Sequence, residues 1–316
     1  MSFTEISFTE RALTVIITAG AKSSNNPNPI SFGPNKQNTL TLAGYRVSCS
    51  IAYAGGNALV AAQISVYGMN ESDMNEIASI GQLLYKNNLN SITVLAGDNE
   101  NGMTIAFQGT MQTAVINTSG APEISFDMTA YTGYALAMTP IPPASFSGAA
   151  SVAGIMANFA QQGGLIFENN GVSSVLSNPY FAGTLGNQIK SCAQAAGINF
   201  IIDPKKGFNG TLAIWPKNGF RSGNPPTISK HKGMVGYPRY TAQGIDVDML
   251  YNSTILFASQ INVVSDLAPA NGLWNVYSLS HNLDSITPNG DWMTTVSCFS
   301  PKNFFGLGIS NSGAQQ

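Results

Sequence analysis

Two stretches of the chain alternate residue by residue, as a pleated strand with unlike faces does. In residues 103–116, Ile105, Phe107 and Gly109 alternate with Thr104, Ala106 and Gln108. In residues 123–131, Ile124, Phe126 and Met128 alternate with Ser125, Asp127 and Thr129. Successive side chains of a strand point to opposite faces, so period two predicts a sheet. Residues 38–53 carry the same pattern through Leu40, Leu42, Val47, Cys49 and Ile51. Residues 13–18 form a β-branched run, and residues 59–69 and 91–95 continue the series. Turn-formers separate the segments at Gly55-Gly56-Asn57, Gly97-Asp98-Asn99 and Ser119-Gly120-Ala121-Pro122. One helix interrupts the rhythm. Residues 71–86 place Met74, Ile77, Ile80 and Leu84 at helical spacing, with Ser72 or Asp73 as N-cap and Glu76 three residues beyond Asp73. Such a helix is expected to cover one opening or flank of a barrel.

Pro140, Pro142 and Pro143 stop both helices and ladders, and the pattern changes after them. Residues 147–162 read as a helix through Val152, Ile155, Met156 and Phe159, closed by Gly163-Gly164. A short strand follows at 165–168. A second helix spans 185–196, through Leu185, Ile189, Cys192 and Ala196, and ends at Gly197. Residues 199–203 and 211–215 form a hairpin joined by 204–210. From Pro225 the chain is β again, with strands expected at 244–250, 254–264, 272–282 and 290–299 and a loose tail at 306–316. The fold class is mainly β with a small α+β insertion, divided into residues 1–140, 141–225 and 226–316.

Composition narrows the function. The charged fraction is 9%, against about 25% in a common soluble domain, and fourteen Lys+Arg stand against sixteen Asp+Glu for a net charge of −2. This excludes a coiled coil, a charge-rich disordered chain and a generally basic nucleic-acid binder. Weak self-repulsion lowers the solubility of a free monomer, and a surface covered by neighbours escapes that penalty. The composition favours a component of an assembly, although secreted β proteins look similar. Cys49, Cys192 and Cys298 are odd in number, far apart and in apolar contexts, which predicts buried thiols rather than a disulfide scaffold or zinc site. No apolar run is long enough for a membrane helix. Residues 1–10 lack the pattern of a secretory leader, which predicts synthesis in the cytoplasm.

Catalytic chemistry needs convergent titratable groups, and the chain is poor in them. His231 lies between Lys230 and Lys232 and reads as a loop residue; His281 reads as a hydrogen-bonded structural histidine. Asp246 and Asp248, at i and i+2, point to one face of a strand and could hold a hard cation or do acid–base work, but no third carboxylate is near. Two polar residues on a solvent or subunit face is the simpler reading. Glu168 is a candidate glycosidase acid only as a lone carboxylate. No phosphate-binding loop, dinucleotide fingerprint or nucleophile elbow is present. No catalytic residue, metal site or cofactor site is assigned.

The charge map is uneven. Between Val47 and Asp127 lie seven acids (Glu71, Asp73, Glu76, Asp98, Glu100, Glu123, Asp127) and one base, Lys86. Between Pro204 and Ile245 lie seven bases (Lys205, Lys206, Lys217, Arg221, Lys230, Lys232, Arg239) and no acid. A solvated loop explains the basic stretch simply; an electrostatic dock for an acidic protein surface is the functional reading, favoured over nucleic acid because prolines make the segment an extended connector.

Several motifs then occur in a telling order. Phe167-Glu168-Asn169-Asn170-Gly171-Val172, Asn178-Pro179-Tyr180-Phe181-Ala182-Gly183 and Leu212-Ala213-Ile214-Trp215-Pro216 lie around the α+β block. Gly233-Met234-Val235-Gly236-Tyr237-Pro238, the stretch from Gly244 to Leu250, Asn271-Gly272-Leu273-Trp274, His281-Asn282-Leu283-Asp284 and Asp291-Trp292-Met293 follow. This succession resembles baseplate hub proteins of contractile-tailed bacteriophages, which are related to the hub part of type VI secretion spikes. The resemblance implies two tail-tube-type β-barrel domains with a peripheral small domain, and a homotrimer of pseudo-hexameric symmetry. It implies a non-enzymatic virion protein of the tail baseplate, assembled in the host cytoplasm. Its expected partners are the tail tube protein, the central spike protein, other baseplate proteins and a tape measure protein. DNA would pass through the channel without specific binding, some N-terminal acids would face the lumen, and no membrane is involved. The second β region is short for a complete barrel, so either chain exchange between domains or a strand from the N-terminus is expected to complete it. A receptor-binding or polysaccharide-degrading tail protein is the alternative, and a capsid-type shell protein a third.

Overall fold

The computed structural model describes residues 10–21, 29–55, 59–78, 89–98, 100, 102–207 and 209–300. The N-terminal strands are β1 (Arg11–Thr18), β2 (Thr39–Ala43), β3 (Arg46–Tyr53), β4 (Ala61–Tyr67), β5 (Ser91–Asp98), β6 (Gly102–Asn117) and β7 (Ser125–Tyr131). In β3 the alternation is complete: Val47, Cys49, Ile51 and Tyr53 are buried, while Ser48, Ser50 and Ala52 are exposed. The run expected at 38–53 is two strands, because Gly44 turns the chain at φ 75°, in the left-handed region that favours glycine. In β6 the register against β5 shifts at Ala106 and against β7 at Gln112. Each bulge moves the following side chains to the other face. Helix α1 (Glu71–Ile77) is capped by Asn70, whose Oδ1 accepts from Ser72 N–H, rather than by Ser72 or Asp73. Met74 and Ile77 are buried, and the expected continuation through Ile80 and Leu84 lies outside the described residues.

The middle block starts with α2 (Tyr134–Met138), a short helix with no strong periodic signal. Two small ladders, β8 (Ala144–Ser145) with β12 (Tyr180–Phe181) and β9 (Ala149–Ser151) with β11 (Val175–Ser177), surround α3 (Val152–Gln162). Helix α4 (Leu185–Ala196) occupies its expected residues. Thr184 Oγ1 accepts from Asn187 N–H, and Gly197, at φ 62°, closes the helix by donating to Ala193 and Gln194 carbonyls. Thr184→Ala is expected to cost about 1 kcal/mol in urea unfolding, whereas an unchanged midpoint would show that the cap adds nothing. Strands β10 (Ile166–Asn169), β13 (Ile198–Asp203) and β14 (Thr211–Pro216) form a three-stranded sheet with β14 in the centre. Alternate residues of this sheet serve two cores. Ile202, Leu212 and Ile214 pack with the helices, while Ile201, Ala213 and Trp215 belong to the main β core. The block is thus buried against the large sheet.

The C-terminal strands are β15 (Thr227–Ser229), β16 (Arg239–Tyr240), β17 (Gly244–Leu250), β18 (Gln260–Val264), β19 (Gly272–Ser285) and β20 (Trp292–Phe299). Of the strand expected at 254–264, only its second half forms. The two β regions share one 13-stranded sheet, whose main path runs β16-β17-β20-β19-β3-β4-β7-β6-β5-β1-β2. The join is the antiparallel β3–β19 ladder, from Tyr53 opposite Leu279 to Val47 opposite Ser285. One edge of β19 is taken by β20; the other is divided between β18 and β3. The N-terminal region therefore supplies a strand beside the second β region. Among the described residues the path is open between β2 and β16, so the expectation of two closed barrels is replaced by a continuous sheet around one extended core. Residues 306–316 lie outside the description.

Candidate functional site

At the junction of all three regions lies a buried charge cluster. Arg221, in the connector that leaves the middle block, is 3% exposed. Its Nε and Nη2 donate to the two Glu168 oxygens at 2.9 and 2.8 Å, and Nη1 donates to Asp203 Oδ2 at 2.5 Å. Its backbone N–H donates to Ala258. Asn170 Nδ2 supports Glu168 at 2.9 Å, and Asn170 Oδ1 accepts from Ser222 N–H. Lys205 Nζ donates to the carbonyls of Ser253 and Ile255, at 3.3 and 2.5 Å. Hydrogen bonds from Arg221 hold the Glu168 carboxyl below its usual range, against the opposing effect of burial. Glu168 is therefore ionised and paired, the reverse of a glycosidase acid. Burial pulls the Lys205 ammonium down to about 8, with Asp203 opposing. The sequence places Lys205 and Arg221 in a basic stretch; the fold uses both internally. Lys230 pairs with Asp266 at 3.2 Å and Arg239 with Asp248, so four of the seven bases are engaged within the chain.

His281 is buried, with Nδ1 2.9 Å from Thr294 Oγ1 and its ring against Tyr53 and Tyr251. Burial, with Lys205 adding to it, holds its pKa well below 6.5. His231 is exposed in the turn before β16. Cys49, Cys192 and Cys298 are buried free thiols; burial pushes Cys49 and Cys192 up to about 12. Asp246 and Asp248 do share a face of β17. Asp248 accepts from Arg239 and, at 2.8 Å, from Thr295 Oγ1, and the Arg239 bond holds it below the ordinary carboxyl range. Among the described residues no group of three or more His, Cys, Asp or Glu side chains could hold a metal.

The other organised surface is the outer face of β17, β20, β19, β3, β4, β7 and β6, opposite the core. Its rows follow from the register. One runs Asp248, Thr295, Ser280, Ala52, Ala61, Tyr131; the next runs Leu250, Met293, Asn282, Ser50, Gln63, Thr129, Thr113; a third runs Asp284, Ser48, Ser65, Asp127, Val115. Ser50 Oγ donates to Asn282 Oδ1 at 2.9 Å across the β3–β19 join, and Asp127 accepts from Asn117 and Ser125. These three rows carry carboxylates and no cation. Arg46, in the row beyond, is neutralised by Glu123 at 2.8 Å and stacks on Tyr67. The face is a band of small, uncharged polar groups with a net negative charge. Sequence alternation identifies its residues strand by strand, but only the β3–β19 join makes it continuous.

A two-part β sheet with an α+β block against it defines the class. The fold matches the tail protein from Neisseria meningitidis MC58 at a TM-score of 0.59 and 9% identity, over 92% of this chain and 97% of that one. It matches the 43 kDa tail protein of prophage MuSo2 from Shewanella oneidensis at 0.54 and 8% identity, over 92% and 97%. A chain of the Francisella PdpA-VgrG complex matches at 0.54 and 10% identity, over 93% of this chain and 58% of that one. No curated protein matches the chain by sequence. The fold is that of tail and spike proteins. The family model described as Baseplate hub gp41 matches residues 32–296, and the chain belongs to that family. It is a structural protein of a phage baseplate, a component of the virion tail. Among the described residues no helix is long and apolar enough to cross a membrane.

Proposed function

We propose that three copies of the chain form a ring that joins the tail tube to the central spike within the baseplate, with the polar face lining a channel for DNA. The observation that carries this reading is the continuous seven-stranded band, acidic in net charge and free of unpaired cations in its rows. A wall of lysines or arginines would retain phosphates, whereas small polar groups and carboxylates let the polyanion slide. The halves of the sheet on either side of the β3–β19 join act as two tube-type units, so three chains present six units to a six-fold tube. The middle block forms a separate unit on the flank, and the function is non-enzymatic. The tail tube protein and the spike are the axial neighbours, with other baseplate proteins and the tape measure protein as further contacts; assembly takes place in the host cytoplasm. Native mass measurement of the full chain, alone and with tube or spike protein, is expected to give species containing three chains of 33.2 kDa. A monomer under every condition would overturn the ring.

A further inference from the structure

The middle block and the large sheet leave between them a cleft of about 400 Å³, the size of a small-molecule pocket. Phe200 and Trp215, from β13 and β14, wall it on the side of the block, with Phe220 of the connector beside them. Phe257, Tyr277 and Phe299 wall it on the side of the sheet. Trp215 meets Phe257 edge-on with centroids 6.5 Å apart, and Tyr277 and Phe299 lie 6.0 Å apart. Phe200, Tyr277 and Phe299 are only half-buried, and Phe220 is 41% exposed, so the described residues do not cover these rings. Lys217 is the one ion in the lining. Walls of this kind suit an occupant with large apolar side chains and little charge, since an unpaired ion carried in with it would lose its water.

The chain itself carries such a segment, and it starts at the cleft. Phe299 is the last residue of β20, and the described residues end at Ser300. Residues 301–316 contain Phe304, Phe305, Leu307 and Ile309, with Lys302 as their only charge. An extended chain advances roughly 3.5 Å per residue, so Phe304 and Phe305 are tethered within roughly 20 Å of the cleft wall. A segment held so close meets the site at an effective concentration of about millimolar order, which a separate protein would have to exceed. We propose that Phe304 and Phe305 occupy this cleft in their own chain, so that the segment after β20 straps the middle block to the ends of β19 and β20. Their burial takes the two rings and the exposed part of Phe220 out of water together. The contact lies within one chain and does not depend on the ring reading.

Thiol labelling tests it in the full chain, because the three native cysteines are buried. Ala54→Cys puts a thiol on the cleft wall, and Ser177→Cys puts one on the exposed face of β11, outside the cleft. Replacing both phenylalanines, Phe304→Ser with Phe305→Ser, is expected to speed labelling at Ala54→Cys about tenfold and to leave Ser177→Cys unchanged. Native cysteines that stay unlabelled show that the fold has survived the changes. In a second arm, Ala54→Cys combined with Phe305→Cys should form a disulfide within single chains under a mild oxidant, and Ser177→Cys combined with Phe305→Cys should not. An equal rate at Ala54→Cys with and without the two phenylalanines would overturn the proposal. A disulfide between chains would give the cleft to the segment of a second copy and overturn the strap. Labelling that slows only when tube or spike protein is added would give it to a partner, with the same consequence.

Discussion

Replacing Arg221 with alanine is expected to destabilise the folded chain by about 3–5 kcal/mol, the largest loss from any single change outside the apolar cores. The guanidinium satisfies two carboxylates from different strands of the middle block, and its backbone N–H ties the connector to Ala258. Asp203 is only 2% exposed, so removing its partner leaves a buried anion uncompensated. Glu168 is partly exposed and can recover water, so Asp203 dominates the loss. Replacing both members, Arg221→Met with Asp203→Asn, is expected to cost less than Arg221→Ala alone, because no unpaired ion remains. Arg221→Lys retains the charge but loses the planar fork that meets both Glu168 oxygens, and should fall between them. Urea unfolding followed through Trp215, which packs edge-on to Phe257 where the block meets the large sheet, reads the loss directly. A change below about 1 kcal/mol for Arg221→Ala would show that packing holds the block and that the ion cluster is incidental.

That cluster also shows where sequence reading ends. Local chemistry determines what the sequence makes plain: α4 runs from a threonine cap to a glycine stop, and β17 occupies its expected residues. The signals lie within the element, so no knowledge of partners is needed. Arg221, in contrast, meets carboxylates 18 and 53 residues away. A sequence shows its charge and its basic neighbours, but not that the chain folds back between two acids. The β3–β19 join is similar. Both strands alternate clearly, yet alternation specifies a face and not a neighbour, and the partners are more than two hundred residues apart. The break at Gly44 and the cap at Asn70 are smaller errors with a local cause. A glycine within an alternating run is compatible with either a strand or a turn, and Asn70, Ser72 and Asp73, on either side of Glu71, are all residue types that cap helices.

The low charge of the chain gains a structural meaning from these contacts. Several of its ions are spent within the fold, on Arg221, Lys205, Lys230 and Arg239, and Arg46 neutralises Glu123 at the end of the polar face. The rows of that face then hold only small polar groups, a few carboxylates and occasional apolar residues. Polar, uncharged side chains can meet other subunits without leaving unpaired charge buried. One sheet continuous across both β regions also keeps the two halves of the face in fixed register. A flexible linker between two independent barrels would not fix that register.

Acidification from pH 7.5 to 5.0 is expected to lower stability through His281, by at most about 2 kcal/mol, the full cost of withholding a proton that the unfolded imidazole takes near 6.5. The unfolded imidazole takes its proton near 6.5, whereas in the fold burial, with Lys205 adding to it, keeps the ring neutral far below that value. Between the two values the unfolded chain binds the extra proton, so stability falls as pH falls; above 6.5 the contribution is complete. The ring lies on β19 between β3 and β20, bonded to Thr294 and flanked by Tyr53 and Tyr251, so protonation acts on the strand that joins the two halves of the face. Glu168 follows the same sign in a lower window. Its folded pKa lies below 4.5, so its contribution is present above that value and is lost as pH drops through the folded one. Measurements at pH 5.0 and above therefore lie largely outside the Glu168 window. His281→Asn, which cannot titrate and can still bond Thr294, should have a flatter dependence over that range, whatever it costs at pH 7.5. Parallel curves for the two proteins would rule out His281 as the group responsible. A flatter curve for the variant would locate the acid-sensitive point of the fold at the join itself, the β3–β19 ladder between the two halves of the sheet.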